Sequence, residues 1–193
     1  MINKKAAILS ILFGSWLLLI ALISYGFQII GNWELTFWSN LCAGALLLIA
    51  GIYELKYHRK LPRFLYFDAM LLLMLVFIFV MAFASQMNFA GSFLFLHIIN
   101  PILMFLFWLL FIDHRQDKGI KSICSGLVLP LIYVVIVELF KNGYYPPLSV
   151  RENGLVGVLT LIMVFLGILL ILAMASFNLN KFFHRIFQKE YYH

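Results

Sequence analysis

The sequence predicts an all-α membrane protein, a bundle of six transmembrane helices, and three observations carry that prediction. Six long apolar runs follow one another, charge is scarce, and what charge there is falls mostly on one side. Of 193 residues, 64% are hydrophobic and 11% charged, with a mean hydropathy of +1.01. A soluble domain carries about 25% charged residues. A chain this poor in charge cannot cover a globule with polar surface, so lipid is the solvent for most of it. A helical span needs about 20 apolar residues; six fit with little left over, which makes residues 1–193 one domain.

The predicted spans are Ala6–Ile30, Leu35–Leu55, Tyr66–Ser85, Phe93–Asp113, Ser122–Phe140 and Leu155–Phe177. The alternation of a membrane barrel is absent, so the runs read as helices. Met1–Lys5 ahead of the first run resembles a signal peptide start. The run is far longer than a signal core and no small-x-small site ends it, so it reads as a retained first helix. The short connections Gly31–Glu34 and Gln86–Ser92 make the first and second helices, and the third and fourth, antiparallel neighbours. Pro101 in the fourth span and Pro130 in the fifth predict kinks; Pro101 also leaves the His97 carbonyl without its usual donor. After the sixth span, residues 178–193 form a basic and aromatic tail suited to the inner leaflet surface.

Charge sets the orientation. Lys4, Lys5, Lys56, Arg59, Lys60, Arg63, Arg115, Lys118, Lys121, Lys181, Arg185 and Lys189 lie at the termini and the second and fourth connections. The other connections hold only Lys141 and Arg151. This twelve-to-two bias predicts both termini in the cytoplasm. The net charge of +6 is then topology and headgroup contact, with membrane lipids as partners and no nucleic-acid footprint; oligomeric state is not legible. Cys42 and Cys124 fall at different depths, against a disulfide, and no metal-ligand spacing or cofactor motif is present.

Polar residues collect in the outer half of the bundle. Thr36, Ser39 and Asn40 open the second span, His97 and Asn100 lie in the fourth, Glu138 near the outer end of the fifth, Ser24 and Gln28 at the outer end of the first, and Thr160 in the sixth. Counted by helical rise, Thr36 lies about 2 Å and His97 about 6 Å below the outer boundary, so the two can meet if their helices pack. Each has an ordinary role open to it. Thr36 suits a helix start, Asn40 and Asn100 suit interhelical hydrogen bonding, His97 suits a satisfied structural position, and Glu138 suits an outer-surface carboxylate. Glu54, Asp68 and Asp113 sit at inner helix ends, where hydration would account for them. The chemical alternative is nucleophilic catalysis. Thr36 attacks a lipid ester carbonyl, His97 takes and returns the proton, Asn40 or Asn100 donates to the oxyanion, and Glu138 orients the imidazole. Tyr144 and Tyr145, beside Pro146 and Pro147, suit either a cavity cap or an aromatic-belt anchor.

Several segments resemble a known family. Gly31-Asn32-Trp33-Glu34-Leu35-Thr36-Phe37-Trp38-Ser39-Asn40-Leu41 resembles the second-span entry of the androgen-induced (FAR/AIG and ADTRP-like) six-span membrane hydrolases and their bacterial relatives. Leu96-His97-Ile98-Ile99-Asn100-Pro101 is similar to their histidine segment. Pro130-Leu131-Ile132-Tyr133 and Asn142-Gly143-Tyr144-Tyr145-Pro146-Pro147-Leu148 resemble their fifth span and the loop after it. The resemblance implies a threonine hydrolase of lipid esters, such as fatty acid esters of hydroxy fatty acids, with Thr36 as nucleophile and His97 as base. The chain departs from the eukaryotic pattern in carrying Ser39 or Asn40 where an acidic residue is usual, in its shorter interval from histidine to proline, and in Glu138, which has no family counterpart. The short loops and lack of sorting signals predict a bacterial inner membrane. The alternatives are a transporter, which the absence of a mid-membrane charged pair and of matched broken helices argues against, and a lipid-binding protein without turnover. Haem ligation is disfavoured, because His58, His114, His184 and His193 fall on the cytoplasmic side and leave His97 alone within a span.

Overall fold

A computed structural model describes residues 4–27, 34–82, 90–117, 119–133 and 150–187, and every regular element among them is helical. Five helices are long and apolar enough to cross a membrane: Lys4–Ser24, Leu35–Tyr57, Arg63–Ala82, Ser92–Phe111 and Gly154–Phe187. A shorter apolar helical stretch, interrupted by a turn, covers Ile123–Tyr133. The chain is an all-α integral membrane protein. It divides into two compact units, Met1–His114 and Arg115–His193.

In the first unit, α1 (Lys4–Ser24) and α2 (Leu35–Tyr57) form the closest pair. Small residues make this possible. Ala7, Ser10, Gly14 and Ala21 are buried on α1, and Ala43, Gly44, Ala50 and Gly51 on α2. A Cβ on Gly14 would stand 2.5 Å from the Leu48 nitrogen, and one on Gly51 would stand 2.6 Å from the Ala7 oxygen. In lipid no hydrophobic force separates a helix–helix contact from a helix–lipid one, so close backbone approach and polar ties must hold the pair. The Ser10 hydroxyl supplies a tie by donating to the Leu47 carbonyl at 2.7 Å.

α1 stops at Ser24, short of the predicted Ile30, because Gly26 takes a left-handed conformation (φ 58°) and closes the helix. The Phe27 amide donates to the Leu22 carbonyl at 2.8 Å and the Gly26 amide to the Ile23 carbonyl at 3.2 Å, a Schellman ending. α2 ends at Tyr57, where left-handed His58 returns its amide to the Glu54 carbonyl at 3.0 Å. α3 (Arg63–Ala82) is the most enclosed helix of the unit, buried over Tyr66–Leu73 without interruption. Glu54 and Asp68 are 6% and 2% exposed rather than hydrated, because the short connection of residues 58–62 brings the inner ends of α2 and α3 together.

The fourth run forms α4 (Ser92–Phe111), whose turn over Phe95–Ile99 is a π-helix. Pro101 explains it. Proline has no amide hydrogen for the His97 carbonyl, and its ring would press on that carbonyl in a regular α-turn. The ladder widens instead, and the Asn100 amide reaches the Phe95 carbonyl five residues back. Beyond Phe111 the chain folds back, so that Trp108 stacks on Phe67 at 5.4 Å and donates its indole N–H to His114 Nε2 at 3.0 Å. His114 is therefore buried in its own unit (1% exposed), not displayed in a loop.

In the second unit the predicted fifth span is broken. α5 (Gly119–Ser125) ends in a turn at Gly126 and Leu127, and α6 (residues 128–133) follows with Pro130 in its first turn, where a missing amide costs least. α7 (Val150–Phe187) bends at Gly154 (φ 68°, ψ 163°) and continues ten residues past the predicted Phe177, through most of the expected tail. Lys181 Nζ donates to the Asp117 carbonyl at 3.0 Å, and Arg115 Nη1 to the His184 carbonyl at 3.4 Å.

Candidate active site

Thr36 is the second residue of α2. The capping position belongs to Glu34, whose backbone is extended and whose carboxylate makes no cap bond, so the Thr36 hydroxyl is not a helix cap. It points to α4, where Thr36 Oγ1 lies 3.0 Å from His97 Nε2.

His97 is 9% exposed and sits at the centre of the π turn. Its Nδ1 lies 2.9 Å from the carbonyl oxygen of Phe93, one turn earlier. A carbonyl only accepts, so Nδ1 must carry the hydrogen. In the neutral ring Nε2 is then bare, and the Thr36 hydroxyl donates to it. The Phe93 ring covers one face of the imidazole, with centroids 3.9 Å apart and planes 23° from parallel. Ring orientation, tautomer and hydroxyl direction thus follow from two hydrogen bonds and one stack.

Behind this pair runs a buried amide relay. Asn40 Nδ2 donates to the carbonyls of Thr36 (2.8 Å) and Leu96 (3.2 Å), tying α2 to α4 beside the contact. Asn100 Nδ2 donates to Asn40 Oδ1 at 2.7 Å, and Trp16 Nε1 on α1 donates to Asn100 Oδ1 at 3.0 Å. Ser39 Oγ donates to the Thr36 carbonyl at 3.0 Å. Asn40 and Asn100 are fully buried, and both amide hydrogens of Asn40 are engaged. In this arrangement the two asparagines hold three helices in register around Thr36 and His97.

The pair borders a cleft of about 260 Å³ at the ends of α1, α2 and α4. Ser24, Tyr25, Glu34, Ser92, Phe93, Leu96 and His97 line it. Ligand sites for drug-sized molecules run from about 300 to 1,000 Å³. The cleft falls just below that range, so it has room for a small polar group and little more. Tyr25 donates its hydroxyl to Glu34 Oε2 at 2.7 Å across the cleft wall. Tyr25, Glu34, Ser92 and Phe93 were not singled out from the sequence as site residues. Only their proximity to helix ends flanking Thr36 and His97 signalled them. Glu138, Tyr144, Tyr145 and Gln28 lie outside the described residues; the Nδ1 partner seen here is the Phe93 carbonyl. Thr160 is exposed, with its hydroxyl donated to the Val156 carbonyl of its own helix.

Among the described residues, no group of three or more His, Cys, Asp or Glu side chains is placed to hold a metal ion. Thr36, His97 and the amide relay are a hydroxyl, a base aligned on it, and a rigid frame for both. Comparison with family models, with curated proteins and with solved structures finds no match.

Proposed function

We propose that this protein is a membrane-embedded lipid-ester hydrolase with Thr36 as nucleophile and His97 as general base. One observation carries the reading: Thr36 Oγ1 is 3.0 Å from the nitrogen that the Phe93 carbonyl leaves bare. A free hydroxyl is a poor nucleophile, and an imidazole fixed in the accepting tautomer is the standard means of activating it. The resemblance of the Thr36 and His97 segments to the androgen-induced hydrolases supports the same chemistry. In the first half-reaction Thr36 Oγ1 bonds to the ester carbonyl carbon as its proton passes to His97 Nε2. The tetrahedral adduct collapses, the alcohol leaves with that proton, and an acyl-threonine remains. Water, deprotonated by His97, then releases the fatty acid and restores Thr36. Asn40, Asn100 and Trp16 are positioning residues here. The substrate is an acyl ester presented from the outer leaflet; the twelve-to-two charge bias supports cytoplasmic termini, and the short loops support a bacterial inner membrane.

The test is turnover of a long-chain acyl ester by the purified protein in detergent. Thr36→Val keeps the shape and removes the hydroxyl; His97→Gln keeps polarity and removes the base. Each should lose up to roughly 10⁶-fold in kcat, and the double variant little more, since nucleophile and base act as one unit. A fluorophosphonate probe should label the parent and not Thr36→Val. Full turnover by folded Thr36→Val would refute the reading. Ester binding with neither labelling nor turnover would make the protein a lipid-binding one.

A further inference from the structure

Among the described residues two buried side-chain polar atoms have no hydrogen-bond partner, and one is Ser24 Oγ. Ser24 lies on the wall of the same cleft that His97 lines. We propose that the Ser24 hydroxyl is the donor that stabilises the oxyanion when Thr36 attacks the ester, an inference that rests on the hydrolase reading above.

Acyl transfer places a negative charge on the carbonyl oxygen, and a donor already aimed at that position accelerates the reaction most where water is shut out. Among side chains, the other donors near the cleft are committed or open to water. Asn40 gives both amide hydrogens to carbonyls, Asn100 is fully buried and donates to Asn40, and the Tyr25 hydroxyl goes to Glu34. Ser92 is exposed, where water competes for its hydroxyl. Ser24 Oγ is shielded and unmatched, a state that costs a folded protein stability and that native structures seldom keep. Turned about its Cα–Cβ bond toward the cleft, the hydroxyl would meet a ligand oxygen there and lose that cost.

The position is also rigid. Ser24 is the last residue of α1, and the two backbone bonds of the Gly26 ending lock the chain immediately after it. In the attack step the Thr36 Oγ1–carbon bond forms, the proton moves to His97 Nε2, and the carbonyl π pair moves onto oxygen. The Ser24 O–H donates to that oxygen without giving up its proton, and the bond weakens again when the adduct collapses.

The experiment compares parent and Ser24→Ala on a p-nitrophenyl ester of a long-chain fatty acid, whose leaving group needs no protonation. Loss of an oxyanion donor predicts a kcat lower by about 10²–10³-fold with KM changed far less. The thermal midpoint should stay level or rise, because the substitution deletes an unsatisfied buried hydroxyl. Ser24→Cys, a weaker donor, should fall between the two in kcat. Ser24→Ala with parent kcat, while Thr36→Val is inactive, would overturn this inference and leave the hydrolase reading standing. A lowered midpoint in both variants with no ordering in kcat would make Ser24 structural and also overturn it. Turnover that survives Thr36→Val would remove both.

Discussion

Gly14→Ala tests the packing that sets the frame of the site. The new Cβ would lie 2.5 Å from the Leu48 nitrogen, 2.8 Å from the Gly44 oxygen and 3.0 Å from the Leu48 Cα. All three are backbone atoms, so no rotamer change relieves them. Restoring ordinary contact near 3.4 Å requires α1 and α2 to part by about 0.9 Å. One turn away, the Ser10–Leu47 bond would stretch from 2.7 Å to about 3.6 Å, beyond hydrogen-bond range. Overpacking costs about 1–3 kcal/mol, and a lost interhelical hydrogen bond adds about 0.6 kcal/mol. The expected destabilisation is therefore about 2–4 kcal/mol, read from reversible unfolding in mixed detergent with SDS, followed by circular dichroism. Gly167→Ala is the control: nothing lies within 4 Å of its Cβ, so it should be neutral or stabilising by up to about 1 kcal/mol. Gly14→Ala within about 0.5 kcal/mol of the parent would refute the close-packing argument.

Two further outcomes are expected. Pro101→Ala gives the His97 carbonyl an amide donor and favours a regular α-turn over Phe95–Ile99; a one-residue change of register turns the helix by about 100°, so ester turnover should fall at least roughly tenfold while the thermal midpoint holds or rises. Unchanged turnover would mean that packing, not the proline, maintains the wide turn. With Cys42 and Cys124 replaced, single cysteines at Asn88 and Asn153 should react with an impermeant reagent outside the cell, and those at Lys60 and Asp117 only after permeabilisation; the reverse pattern would invert the proposed orientation.

The fold was legible because apolar run length maps directly onto helices, and the ends of α2, α3 and α4 fall within a few residues of the predicted ones. The failures share a cause. α1 stops early at Gly26, the fifth run breaks before Pro130, and α7 runs past Phe177; each depends on local backbone geometry, which hydropathy does not encode. Helical rise could put Thr36 and His97 at one level. It could not say that α2 and α4 face each other, because that depends on the asparagine relay, whose partners lie on both helices. The π turn was half visible: Pro101 marked the freed His97 carbonyl, but a kink and a widened turn answer a missing amide equally well from sequence alone. Asn40 and Asn100 were legible as polar residues in lipid, and only their partners show what they hold.

The imidazole of His97 takes its orientation from Phe93, through both the carbonyl at 2.9 Å and the stacked ring. Both belong to the preceding turn of the same helix. The tautomer is therefore a local property of α4, independent of where any other element lies, and only the hydroxyl arrives from elsewhere. Such a construction is modular. Tyr25 and Glu34, which wall the cleft from outside α4, can change its outline without rotating the ring, so the range of molecules admitted can drift while the hydroxyl–imidazole alignment stays constant.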